Sequence, residues 1–362
     1  MRYFTKLNAL NVTYLFVLFI LISGCTGTRS STGSSGVDYT VSYHPLVYNA
    51  ELQIVEQNFP DALNTYKQAF AVVPEPFAID LYNAAVCAAL SEDRKQAFNF
   101  LDKLALKGVS IDYIAKQDVF APLQETKEWE KFQKSYKKNR ARFNRRADLD
   151  LRADLDELYA RDQYFRQAKG GLKVHADTIK KIEDMNAEFL LATIEKYGYP
   201  GESLIGVADT LEQLPRFSIV IQRQSKARQG YNFESILKEA VQNGRIRPQA
   251  AAYLLEQQGQ GNFKTRVLVT VDCNNPKNCE GAGVDGKFFR DRLSASQLEE
   301  LDENRKQLGL SSFPDYRKKV LYNARDNRFK LSSYWSVTRY VVPSKEAVSA
   351  LMQGRVEANM ND

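Results

Sequence analysis

Histidine is nearly absent: the 362 residues contain only His44 and His175, far apart in the chain. A Ser-His-Asp triad needs an imidazole beside the nucleophile, and a zinc hydrolase needs several ligands in one place. Two isolated histidines argue against both. A phosphate-cradling loop is also missing, because Gly281-Ala282-Gly283 is not followed by Lys-Ser or Lys-Thr. No Gly-x-Ser-x-Gly nucleophile elbow occurs. None of these patterns implies a cofactor or a bound metal. Long apolar runs are scarce too. Val12 to Ile22 is almost wholly apolar, broken only by Thr13, yet it falls short of the roughly 20 residues that span a bilayer comfortably.

That short run has the flanks of a signal peptide. Arg2 and Lys6 precede it, and Leu21-Ile22-Ser23-Gly24-Cys25 follows. The last five residues resemble the lipobox of bacterial lipoproteins: a branched apolar residue, two small residues, then Cys. The resemblance implies that residues 1–24 are removed and that Cys25 carries acyl chains such as palmitate, anchoring the protein to a membrane. The setting it implies is the cell envelope of a Gram-negative bacterium. Thr26 is not the Asp that retains lipoproteins at the inner membrane under the enteric sorting rule, which points to the outer membrane. Thr26 to Gly36 is Thr, Gly and Ser with one Arg, so residues 25–40 read as a flexible tether. Its Gly/Ser-type stretch has a span of roughly 18 Å.

The composition is that of an ordinary globular protein, with a formal net charge of +6 that drops to +4 without Arg2 and Lys6. Such a modest excess demands no anionic partner, and nucleic acid is not expected in an envelope setting. The remaining length suggests two domains. There are four cysteines. Cys87 lies in an apolar helical stretch and reads as a buried thiol. Cys273 and Cys279 flank a turn-forming Asn-Asn-Pro-Lys-Asn, and an oxidising envelope favours a disulfide between them. Two free thiols are one alternative. A metal site is another, but neither histidine is near.

Phe59, Ala62, Tyr66, Ala69 and Pro74 recur at helical spacing, and Ala97, Leu101 and Leu104 repeat Ala62, Tyr66 and Ala69 at an offset of 35. Leu81, Ala84 and Ala85 suit the first helix of that second unit. Phe120, Leu123, Trp129 and Phe132 suit a degenerate third. Small alanines let paired helices approach, and large side chains fill the gap. The pattern resembles the tetratricopeptide repeat, whose period is 34 residues, and predicts a helical region over 41–146. This region ends in a basic run over 131–146 that holds no acidic residue, followed by Asp148, Asp150, Asp154, Asp156 and Glu157. The run is either a patch for anionic lipid, lipopolysaccharide or nucleic acid, or a solvated helix face answered by those acids. Charge runs are usually the latter.

Residues 147–356 read as a second, mainly helical domain. Leu151, Leu155, Leu158, Asp162 and Phe165 share one stripe; Ile179, Ile182, Asn186, Phe189, Thr193 and Tyr197 share another. Gly198 and Pro200 stop the second helix. Pro215 and Pro248 suit first turns, Gly244 closes a helix over 233–242, and Ser294 to Gln297 is a capping box for a helix ending near Gly309. Arg266–Val271 and Trp335–Val342 alternate like strands and are expected to pair antiparallel. The tail from Glu357 is expected to fray.

Several short pieces follow one another in this half. They are Asp162-Gln163-Tyr164-Phe165-Arg166, Asp184-Met185-Asn186, Tyr197-Gly198-Tyr199-Pro200 with Leu204-Ile205-Gly206, Ile236 to Val241 with Gly244, and Arg305 with Leu308-Gly309-Leu310. In this order, residues 150–325 resemble an uncharacterised bacterial domain family that often accompanies tetratricopeptide repeats in secreted proteins. The family has Tyr-Gly-Trp-Pro at the third piece. Its Gln-His is here Gln222-Arg223, and its Tyr-Gly-Thr-Gln is replaced around Val269-Thr270-Val271. The resemblance brings no activity, and any chemistry of the family's histidine is lost. Asp162, Arg166, Asp184, Asn186, Tyr197, Gln222 and Arg223 are the candidates for ligand contact. Capping and crosslinking of helices is the plainer role for buried polar groups.

The expected protein is mainly α, with tetratricopeptide-like repeats followed by a helical domain carrying a small antiparallel β element. The expected function is a non-catalytic module that binds or scaffolds an envelope protein or peptide. An enzyme acting on envelope glycan or peptide through carboxylates such as Asp162 and Asp184 is the alternative, because a glycan-cleaving pair needs only two. The oligomeric state stays open.

Overall fold

The computed structural model describes residues 36–208, 210–224 and 230–360. The expected signal peptide, Cys25 and most of the tether lie outside these residues. The fold begins before the expected tether end at residue 40. Asp38 accepts a hydrogen bond from the Thr40 amide and opens α1 (Tyr39–Ser42), whose Tyr39 is buried.

Two hairpins follow, α2 (His44–Val55) with α3 (Phe59–Ala71), and α4 (Ala78–Leu90) with α5 (Arg94–Leu106). Their turns are built alike. Gln57 and Glu92 both take a positive φ, 61° and 59°. Asn58 and Asp93 then cap the second helices by accepting from the Asp61 and Gln96 amides. An N-cap of this kind satisfies an otherwise orphaned amide and contributes about 1 kcal/mol. The repeated alanines Ala62, Ala69 and Ala97 are all fully buried between helices.

A short helix α6 (Ile111–Ala115) and a single-turn α7 (Ala121–Gln124) lead to α8 (Lys127–Arg146). Helix α8 lies on α5 and buries Trp129, Phe132, Asn139 and Phe143. On α5, Asp102 accepts from Ser135 Oγ at 2.5 Å and Asn139 Nδ2 at 2.9 Å, which sets the register of the pair. The Phe143 ring fits between Gly108 and Gly206. Both have positive φ, and a Cβ on them would come within 2.6 and 2.5 Å of the ring. Only glycine meets both demands.

The second half starts with α9 (Leu149–Gln167) and α10 (Gly171–Tyr197), the latter interrupted at His175 and stopped at Gly198. The single turn α11 (Glu202–Ile205) and helices α12 (Ser218–Gln224), α13 (Glu234–Gln242) and α14 (Pro248–Gln257) complete a second apolar core with α9 and α10. On α10, Ile179, Asn186 and Thr193 are buried as expected, but Phe189 is exposed and Ala187 and Leu190 take its place.

The remainder alternates: β1 (Leu268–Cys273), β2 (Phe289–Asp291), α15 (Ala295–Gln307), α16 (Phe313–Arg325), β3 (Val337–Val342), α17 (Lys345–Leu351) and β4 (Arg355–Glu357). The sheet order is β3-β1-β2-β4. The two expected strands are neighbours, but they pair parallel, with Leu268 opposite Val337 and Cys273 opposite Val342. This corrects the antiparallel expectation. A parallel pair needs a long crossover, and here α15 and α16 supply it. The antiparallel pairs involve the three-residue strands β2 and β4, too short to read from alternation. The tail does not fray at Glu357: Ala358 is buried, and its amide donates to the Phe288 carbonyl at 2.8 Å.

The described residues form one compact unit. The junction expected near residue 146 falls between α8 and α9, and Val207, Leu211, Tyr322, Phe329 and Leu331 from beyond it join the core of the N-terminal helices.

Candidate functional site

Helix α4 is an apolar helix carrying a few polar side chains, among them Asp80 and Asn83, both buried. Asn83 explains where the chain after α16 goes. Its Oδ1 accepts from the Lys330 amide at 2.8 Å, and its Nδ2 donates to the Lys330 carbonyl at 3.2 Å. Tyr82 Oη donates to the Arg328 carbonyl at 3.0 Å. Asn323 holds the same segment from the other side: its Nδ2 donates to the Asp326 and Phe329 carbonyls, and its Oδ1 accepts from the Leu331 and Ser332 amides. Phe329 is fully buried and stacks on Phe59. Residues 326–333 therefore form a strap laid against the N-terminal helices. The surface of α2 is further covered by α16, where Lys319 makes a buried ion pair with Glu51 at 2.6 Å. The chain itself thus covers part of the surface of these helices.

Beside the strap lies an open groove of about 1050 Å³. Tyr113 of α6, the 212–219 segment with Gln222 of α12, and the strap with Tyr334 form its walls. Glu212 sits where they meet. Its carboxylate accepts from Lys330 Nζ at 2.8 Å and from Tyr113 Oη at 3.1 Å. Burial opposes the Glu212 charge, but the hydrogen bond and charge of Lys330 prevail and hold its carboxyl below the usual range. Burial, then the Glu212 charge, push the Tyr113 hydroxyl up. The trio is thus a carboxylate, an ammonium and a protonated phenol at one point of an otherwise mixed surface. Tyr334 is 60% exposed, and its ring meets the Trp335 ring edge-on, while Trp335 stacks on Tyr253. This backing fixes an aromatic face at the rim.

Of the candidates from sequence, one lines this groove. Gln222 is in its wall. Asp162 is buried at the crossing of α9, α10 and α12, where Arg223 Nε and Nη2 and Arg166 Nε donate to it, together with Gln163 Nε2. Those four hydrogen bonds fill the roughly four acceptor positions of a carboxylate. Arg166 also pairs with Glu183, whose carboxyl is raised chiefly by burial. Asn186 Nδ2 donates to the Leu158 carbonyl at 3.0 Å. Asp184 is exposed and Tyr197 half-buried, its carbonyl accepting from Arg245. Asp162, Arg166, Asn186 and Arg223 thus crosslink three helices. A catalytic pair built on Asp162 and Asp184 would need both carboxyls open to substrate, and Asp162 is fully engaged.

Cys273 and Cys279 are joined by a disulfide beside β1, and Cys87 is a buried free thiol. Sequence reasoning missed Glu212, Lys330, Tyr113 and Tyr334, which come from distant segments and carry no local pattern. Asn83 had a signal, as an amide within an alanine-rich apolar helix. No helix among the described residues is long and apolar enough to cross a membrane. Comparison with protein-family models, with curated proteins and with solved structures finds no match to this chain.

Proposed function

We propose that this chain is a lipid-anchored lipoprotein of a Gram-negative envelope that binds an extended segment of a partner protein in the groove beside Tyr334. The tetratricopeptide-like hairpins and the helical domain together act as its scaffold, without catalysis. The anchor rests on the lipobox-like residues ending at Cys25. The observation that carries the binding reading is the groove itself, at the upper end of the size range of ligand sites. Tyrosines supply large rigid contact area at its rim, and Glu212 and Lys330 offer both charge signs to a peptide. The neighbouring strap supports the same reading, because an extended backbone already docks there through a side-chain amide. The carboxylate-enzyme alternative finds no support in the engaged Asp162.

Two measurements test this. A photo-crosslinking residue in place of Tyr334, introduced in intact cells, is expected to give discrete adducts that Ile219→Glu in the groove wall abolishes. The same residue at exposed Lys95 is expected to give none of them. Identical adducts from both positions overturn the groove. Cys25→Ser is expected to release the protein from the membrane fraction, and unchanged fractionation overturns the anchor.

A further inference from the structure

We propose that the outward face of α8, carrying Lys131, Lys134, Lys138, Arg142 and Arg145, is a docking surface for an anionic phospholipid bilayer. These residues are spaced three or four apart, so they share one side of a helix. The opposite side holds the buried Trp129, Phe132 and Phe143 that fix α8 on α5. All five cations are exposed. The helix has 20 residues and is therefore about 30 Å long. Its acids, Glu128 and Glu130, sit in the first turn.

Among the described residues, none of the acids that follow in the chain makes an ion pair with this face, and Asp150 and Asp154 are exposed. Asp156 pairs with Arg152, Glu157 pairs with Arg161, and Asp148 caps α9 through the Leu151 amide. Among the described residues, the ion pair made by the basic run is Arg146 with Glu75, off the stripe. The face is thus a row of exposed positive charge along one side of a single 20-residue helix, with no ion pair on it among the described residues. A row of this shape fits an extended plane of phosphates better than one small anion, which would need cations converging on a concavity. Each Lys or Arg near an anionic leaflet adds attraction that salt weakens. The preference for a bilayer over nucleic acid rests on the envelope reading above.

The test uses residues 34–362, which carry the compact unit, lack Cys25 and cannot be lipidated. Its failure would leave the anchor standing, and the Cys25→Ser fractionation would fail or succeed independently. The fragment is expected to co-sediment with phosphatidylglycerol–phosphatidylethanolamine vesicles, not with phosphatidylcholine vesicles, and added salt is expected to release it. The variant Lys131→Glu, Lys134→Glu, Lys138→Glu, Arg142→Glu is expected to lower partitioning ~10-fold or more. A control with the same net charge, Lys95→Glu, Lys173→Glu, Lys180→Glu, Lys306→Glu, keeps most of the binding. Equal loss in both variants, no preference for phosphatidylglycerol, or tighter binding to duplex DNA than to these vesicles overturns the proposal.

Discussion

Arg223 grips both carboxylate oxygens of Asp162, Nε to Oδ1 and Nη2 to Oδ2, each at 3.0 Å. Arg166 shares Oδ1 from one turn along α9. The Asp162 side chain is 2% exposed, and the guanidiniums of Arg166 and Arg223 are mostly covered. Removing one partner of such a pair strands the others without compensation. Asp162→Ala is therefore expected to lower stability by about 3 kcal/mol, the low end of the range for a broken buried pair because the arginines keep some solvent. The measurement is the urea midpoint. Replacing Arg223 by Met in the same background is expected to recover part of the loss, since coupled neighbours are not additive. Additive losses would show that Asp162 does not act through Arg223.

How far this arrangement was readable in advance depends on the range of each signal. The stripes of α9 and α10 were legible because burial repeats every three or four residues within one segment. So were the capping box at Ser294 and the stop at Gly198, which need only their neighbours. Asp162 was legible as a polar residue on an apolar stripe, but its partner Arg223 lies on another helix. The parallel pairing of β1 and β3 was not legible, because alternation reports which face a strand shows and nothing about its direction. The strap stayed hidden for the same reason. Residues 326–333 have no periodicity of their own, and Asn83 and Asn323, which order them, are remote or only locally polar.

The strap offers a sharp test of that ordering. Asn83→Ala removes a donor and an acceptor that together satisfy both backbone groups of Lys330. Buried backbone groups left unpaired are costly, so a loss of about 1–3 kcal/mol is expected. Most of it should be local, because Asn323 still holds the segment. Hydrogen exchange at the Lys330 amide is expected to accelerate far more than exchange in α9 or α10. Uniform acceleration throughout the chain would mean that the strap and the second core open together.

The disulfide closes a short loop, since its cysteines are six residues apart. The chain entropy removed from the unfolded state grows with loop length, and for so small a loop it contributes about 2 kcal/mol. Cys279, Val271, Val284, Phe289 and Val348 form a small core of their own around it. Cys273→Ser with Cys279→Ser is expected to lower the melting temperature by a few degrees while the helical signal is retained. Collapse of the whole fold on reduction would show that this small core supports the rest.

Asp80 gives the clearest dependence on pH. It is 4% exposed and accepts from Tyr43 Oη at 2.6 Å. Burial first, then the Glu51 charge, push its carboxyl up to about 7, against the opposing pull of the Tyr43 hydroxyl and Arg247. In the unfolded chain it titrates near ~3.9. A raised folded value means that folding retains a proton, so the contribution is fully present below about pH 4 and is lost as pH rises through 7. His44, which lines a small cavity together with Asp80, runs the opposite way. Burial, then Arg247 and Lys319, pull it down to about 3, so its contribution is present above about 6.5 and is lost as pH falls. Asp80→Asn leaves an acceptor for Tyr43 and removes the first dependence while keeping the second. The stability of this variant relative to the native chain is expected to rise steadily from pH 4 to 7 and level off above. Urea midpoints across that range measure it. A difference that does not change with pH would mean that Asp80 is ionised in the fold, with Lys319 or Arg247 compensating its charge.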